Sequence, residues 1–143
     1  MKFMQDVDFT VAIAVLIDRG KVLINQRPKG WLKDFWEFPG GKLEAGEMIE
    51  ETLKREMLEE FNLLVEPKYE LMNYDFDYGK YMCRLRFWLC EASALAIASM
   101  LPLEGQNFVW ADLEAVAAGK YNFLEGNRKF IEEFVVGKYG LWG

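Results

Sequence analysis

Residues 47 to 61, EMIEETLKREMLEEF, contain neither glycine nor proline, consist largely of good helix formers, and follow a turn-forming Pro39-Gly40-Gly41. In a helix, which advances about 100° per residue, Leu53, Met57 and Phe61 fall on one i, i+4, i+8 ridge, and such a ridge packs on a sheet. Glu56 and Glu60 form a second row beside that ridge, with Glu59 on the same side. Carboxylates crowded onto one turn next to low-dielectric packing repel one another and lose hydration. A hard divalent cation, Mg²⁺ or Mn²⁺, removes the conflict, because it takes oxygen ligands from carboxylates, waters and phosphates. On helix composition alone the plainer alternative is a solvated acidic face, with Lys54 and Arg55 in ordinary surface pairs such as Arg55 with Glu59.

The rest of the chain limits what that helix can serve. At 143 residues, 1–143 is expected to form one domain with one core, and 52% hydrophobic residues with eleven Phe, six Tyr and five Trp exclude a disordered chain. Seventeen Lys and Arg against twenty-three Asp and Glu give a net charge of −6, which argues against a polynucleotide partner and leaves room for a small phosphorylated ligand held through a metal. MKFMQDVDFT has no continuous apolar stretch of a secretory signal, and the longest charge-free run, Ala92 to Leu103, is too short to span a bilayer, so a soluble cytoplasmic protein without a membrane partner is expected. Cys83 and Cys90 lie seven apart in what reads as one strand, on opposite faces, and are expected to be unbonded; two cysteines with no histidine argue against zinc.

Alternating sheet and helix signals complete an α/β reading. FTVAIAVLI, the turn DRGK and VLINQR read as a hairpin, and residues 28–41 as loop with a short strand. YMCRLRFWLC alternates, with Tyr81, Cys83, Leu85, Phe87 and Leu89 on one face and Met82, Arg84, Arg86, Trp88 and Cys90 on the other. The face carrying the two arginines is expected to border a cleft. NFVWADL reads as a last strand entering a short helix near 112–118, and NRKFIEEFVV has helical spacing. The sum is a mixed sheet with helices on two sides.

The spacing of the acidic segment as a whole, Gly41, Glu47, Arg55-Glu56 and Glu59-Glu60, resembles the Nudix box, G-x5-E-x7-R-E-U-x-E-E-x-G-U with U aliphatic, from Gly41 to Leu63. Every charged position is filled. Asn62 replaces the last glycine, a mild change, since Asn is the next best residue for a left-handed helix end. The resemblance implies a Nudix α/β/α sandwich with a mixed β-sheet and a loop-helix-loop catalytic motif, using Mg²⁺ (or Mn²⁺) to hydrolyse a nucleoside diphosphate linked to another group. It makes Glu56 and Glu60 the principal metal ligands and Glu59 a ligand or its close support. The Gly40 carbonyl becomes a further ligand, and Glu47 and Arg55 orient the site, Arg55 through a charge-assisted pair with a carboxylate. Gly40 and Gly41 are expected to leave the backbone open to metal and phosphates, a simple tight turn being the plainer reading. Glu56 and Glu104 are both candidates for the carboxylate that takes a proton from the attacking water, and Glu104 also matches a loop glutamate that binds metal in the MutT branch.

Similarity to that branch extends to QRP, WEFPGGK, RFWLCE and EGQNFVW. It places Arg27, Phe38, Gly41, Lys42 and Asn127 in the substrate-binding set: Arg27 on phosphate or sugar, Phe38 lining the base pocket, and Asn127 reading the purine edge with both donor and acceptor. The plainer alternatives are a surface charge for Arg27, core packing for Phe38 and a cap on a helix beginning near Arg128 for Asn127. A second basic residue expected at the central strand has Tyr81 in its place, with Lys80 and Arg84 as neighbours. The implied activity is pyrophosphate release from (deoxy)nucleoside triphosphates, 8-oxo-dGTP favoured, in sanitation of the nucleotide pool by a monomer or weak homodimer. The alternatives are another nucleotide specificity, such as CTP, modified pyrimidine nucleotides or ADP-ribose, and a non-catalytic nucleotide-binding domain. The apolar stretch 92–103 is open to packing, an altered hairpin or a subunit contact.

Overall fold

The computed structural model describes residues 6–137; residues 1–5, where the signal reading begins, lie outside them. β1 (Phe9–Asp18) and β2 (Lys21–Gln26) form the expected hairpin, closed by Arg19 and Gly20 with φ of 53° and 76°, the paired left-handed conformations that match strand twist in a two-residue turn. β3 (Trp36–Glu37) and β4 (Gly40–Lys42) break the loop before α1 (Ile49–Phe61). β5 (Glu66–Asp77) and β6 (Met82–Glu91) follow, then α2 (Ala94–Ala98), β7 (Asn107–Asp112), α3 (Leu113–Ala117) and α4 (Glu125–Phe130), which continues as a π-helical stretch, Ile131–Val136.

The sheet is mixed, in the order β3-β2-β1-β6-β5. β1 runs parallel to β6 from Phe9↔Cys83 to Leu16↔Cys90, and β5 pairs antiparallel to β6. The opposite edge of β1 is shared: β4 pairs with Val11 to Ile13, whereas β2 pairs only with Ile17 and Asp18. β2 therefore diverges from β1 and carries β3 and β7 with it, which opens a gap between β4 and β2.

Alternation along β1 builds two cores. Ala12, Ala14 and Leu16 pack with Leu53, Met57 and Phe61 of α1, so the predicted ridge is buried on the sheet. Ile13 and Val15 pack on the other face with Phe38, Phe87 and Phe130. Cys83 and Cys90 fall in different cores and are unbonded, as their spacing requires.

α1 starts two residues later than the propensity reading places it. Glu51 accepts the Met48 N–H at 3.0 Å and closes the first turn, which leaves Glu47 in the preceding loop. Its end is as expected: Asn62 is left-handed, φ 53° and ψ 36°, with its N–H on the Leu58 carbonyl at 3.0 Å. The apolar stretch 92–103 packs in part, with Leu95, Leu101 and Leu103 exposed. Ala96, Ile97 and Met100 lie against the α1-side core, while the N–H groups of Leu101 and Leu103 bond the carbonyls of Phe61 and Glu60, both at 2.9 Å. These are carbonyls a helix end cannot satisfy internally. Among the described residues no helix is long and apolar enough to cross a membrane.

Candidate functional site

Arg55 ties the loop before α1 to the helix. Its Nε donates to Glu47 Oε2 at 2.7 Å and its Nη2 to Glu47 Oε1 at 2.9 Å, a two-point fork on one carboxylate. The same guanidinium reaches Glu56 Oε1 at 2.8 Å, the Lys42 carbonyl at 3.2 Å and Glu59 Oε2 at 3.3 Å. Glu47 also accepts from the Glu44 N–H at 2.9 Å and the Thr52 hydroxyl at 2.8 Å. Led by the Arg55 bonds, these donors hold the Glu47 carboxyl down at about 2. The Glu47–Arg55 pair is the charge-assisted pair expected from the sequence. Glu59 lies on its outer side with the side chain 57% exposed.

The glycines before α1 lie close against the protein's own atoms. A Cβ on Gly41 would overlap the Glu56 carboxyl, and one on Gly40 would overlap the Ala12 carbonyl of β1. They make room for the protein's own acidic group and its own sheet, and both also line the cavity described next.

At the gap between β4 and β2 lies a cavity of about 670 Å³. Of the residues singled out in the sequence, Arg27, Phe38, Gly40, Gly41, Lys42, Glu60, Glu104 and Asn127 line it. Glu47, Arg55, Glu56 and Glu59 are not in its lining; Arg55 bonds the Lys42 carbonyl, and the Glu56 carboxyl lies against Gly41. Glu104 reaches the rim because Gln106 holds its loop down, accepting the Glu104 N–H and donating to the Glu60 carbonyl, each at 3.0 Å.

At the cavity's other end, Phe38 packs on Phe123, Phe130 and Phe87 with ring centroids 5.2, 5.5 and 6.4 Å away. Core packing and cavity lining are one role here. Asn127 does not cap a helix: α4 starts at Glu125, and Asn127 is buried inside it with Oδ1 accepting the Phe38 N–H at 3.2 Å. That bond takes one of the two lone pairs of Oδ1 and fixes the direction of the amide, leaving a second lone pair and the NH₂ group.

Two further expectations change. Arg84 and Arg86 face away from the cavity, forked onto Asp75 and Glu70, with Nε distances of 2.8 and 2.6 Å. The opposite face of β6 lines it, through Cys83 and Leu85. The second basic residue is absent from the expected place, since Tyr81 and Tyr78 line the wall and Lys80 stacks over Trp31.

Sequence reasoning missed Glu37 and Asn25. Glu37, inside the quoted WEFPGG, lines the cavity 3.5 Å from Arg27, and burial lifts its carboxyl to about 7 against the opposing effects of Arg27 and a bond from Asn25. Asn25 faces it across the β2–β3 pair. No local pattern signals that pairing, which depends on the register of strands separated by a loop.

The acidic groups suit a hard divalent cation. Glu60 Oε2 is buried with no hydrogen-bond partner. Burial holds the Glu60 carboxyl well above the usual carboxylate range, and Glu56, Glu37 and Glu104 push it the same way. Glu56 is raised too, by burial, with Arg55 opposing. Among the described residues no three acidic, histidine or cysteine side chains already close round one point. Every available side-chain donor in this acidic set is oxygen, the chemistry that Mg²⁺ and Mn²⁺ take.

A family model described as NUDIX domain matches residues 12–133. The 8-oxo-dGTP diphosphatase of Haemophilus influenzae is 32% identical over 119 residues, 81% of this chain and 82% of that protein. A MutT structure from work on Aliivibrio salmonicida and Vibrio cholerae matches with a TM-score of 0.71 at 27% identity, over 90% of this chain and 96% of its own. The MutT protein of Methanosarcina mazei Go1 shares the fold, with a TM-score of 0.74 at 20% identity over 87% of this chain and 90% of its own.

Proposed function

The chain belongs to the Nudix family and is a hydrolase of phosphoric anhydrides, and from that premise we propose that it releases pyrophosphate from nucleoside triphosphates with Mg²⁺ or Mn²⁺, 8-oxo-dGTP being its favoured substrate. The observation that carries this reading is the unpartnered, buried Glu60 oxygen in the cavity that also holds Phe38 and Asn127. It joins a cation-seeking end to a base-sized aromatic end. The name of the Haemophilus influenzae relative supports an oxidised guanine as the base.

Glu60, Glu56, Glu104 and the Gly40 carbonyl would hold the cation, with Glu59 beside them. When bound, it would neutralise phosphate charge and lower the pKa of an attacking water. Arg55 keeps Glu47 and Glu56 in place through its short bonds. Lys42 and Arg27 supply positive charge to the substrate phosphates and sugar. Phe38 takes the base against its ring, and the Asn127 Nδ2 donates to an acceptor on the purine edge. Glu56 or Glu104 accepts the water's proton; Glu104→Gln keeping more than about a tenth of kcat assigns that role to Glu56.

Initial hydrolysis rates over canonical and oxidised nucleoside triphosphates, CTP and ADP-ribose, each with Mg²⁺ and with EDTA, test the proposal. Preference for 8-oxo-dGTP with loss of activity in EDTA is expected. Metal-dependent preference for another nucleotide retains the chemistry and removes the oxidised purine, and a chain inert on all of them is a binding domain.

A further inference from the structure

Alternation along β2 separates its side chains: Val22 and Ile24 enter the core of Phe38 and Phe87, and Leu23 enters the core of α1. Asn25 follows on the Leu23 side, toward α1 and Glu60. It is only 4% exposed and lines the cavity. Glu37 stands opposite it in the β2–β3 pair, and its Oδ1 is left with no partner. A buried amide oxygen without a donor destabilises a fold, and such atoms are rare unless something absent supplies the contact. The other buried side-chain acceptor without a partner among the described residues is Glu60 Oε2, in the same cavity. Both orphaned atoms are acceptors, Glu37 adds a further carboxylate, and amide oxygens are good ligands for hard cations.

We propose that the Asn25 side-chain oxygen is a further ligand for the divalent cation held at Glu60, with Glu37 beside it across the strand pair. This rests on the cation reading above and adds to it a β2 residue outside the Gly41–Leu63 motif. It also explains why a strand interior keeps a buried amide where Val or Ile packs better.

The test is a calorimetric Mn²⁺ titration of wild type, Asn25→Val, Asn25→Asp and Glu60→Gln without nucleotide, with Tm of each metal-free protein. Asn25→Val is expected to raise the Mn²⁺ Kd about tenfold while its metal-free Tm is unchanged or higher, because the orphaned acceptor is gone. Asn25→Asp is expected to bind Mn²⁺ more tightly and to melt lower without metal, since it adds charge beside Glu37 and Glu60. It decides the matter alone if the valine variant does not fold. Kd values for both variants within twofold of wild type, with binding lost in Glu60→Gln, overturn the Asn25 assignment and leave a buried water as its partner. A wild type that binds no Mn²⁺ overturns the cation reading itself.

Discussion

Asn127 shows what a single amide can and cannot offer. With one lone pair of its oxygen on the Phe38 N–H, it holds the Phe38 segment in place and keeps a second lone pair and its NH₂. Asn127→Ala removes both functions, so it is expected to lower stability by about 1–3 kcal/mol, from the unpaired buried N–H, as well as to weaken purine preference. Asn127→Asp keeps an oxygen for the Phe38 N–H and loses the donor. Urea stability below that of wild type, because a carboxyl replaces the amide at a position only 3% exposed, with KM for 8-oxo-dGTP raised about tenfold or more, is the expected outcome. The sequence made Asn127 visible through its place in a C-terminal pattern, but the direction of its amide depends on a backbone N–H 89 residues away. Asn25 and Glu37 were hidden for the same reason: their identities are plain and their proximity is a matter of strand register.

At the scale of elements, α1 was the most legible part of the molecule, because ridge, acidic row and left-handed end all follow from 3.6-residue periodicity. Its buried ridge carries stability. Met57→Ala, at a fully buried position, is expected to cost about 2–5 kcal/mol by urea denaturation. Gly41→Ala acts on the acidic row instead, since the added methyl occupies the place of the Glu56 carboxyl. A folded protein by circular dichroism with kcat lowered about 10²–10⁴-fold is the expected result. Less legible was the fastening of α1 to later chain. The bonds from Leu101, Leu103 and Gln106 to the last carbonyls of α1 come from a segment whose composition reads only as apolar and loop-like, and they bring Glu104 to the cavity.

At the scale of the whole molecule, Glu47 is held away from its ordinary pKa in one direction and Glu37, Glu56 and Glu60 in the other. Glu47, depressed to about 2 from 4.5, stabilises the fold above pH 4.5 and loses that contribution as pH falls toward 2. Glu37, raised to about 7 from 4.5, acts the other way: the native state keeps its proton longer than the unfolded chain does, so stability falls as pH rises from 4.5 to 7. Glu60, also raised, adds to that fall. Metal-free protein is therefore expected to be most stable near pH 4.5–5, with Tm declining toward pH 8, and Mn²⁺ is expected to restore Tm at pH 8 far more than at pH 5. Thermal melts in EDTA and in Mn²⁺ across that range measure it.

The excursion through α2 bears on how this chain can be engineered. None of the α2 residues is buried, and the chain is fastened again at Leu101 and Leu103 before it reaches Glu104. A dye coupled at Leu95→Cys would sit on the outward side of α2, where that side chain is 79% exposed, while Ala96 and Ile97 keep their packing on the α1-side core. The chain thus has an attachment point on its surface that spares both the helix carrying the glutamates and the cavity lined by Phe38 and Asn127.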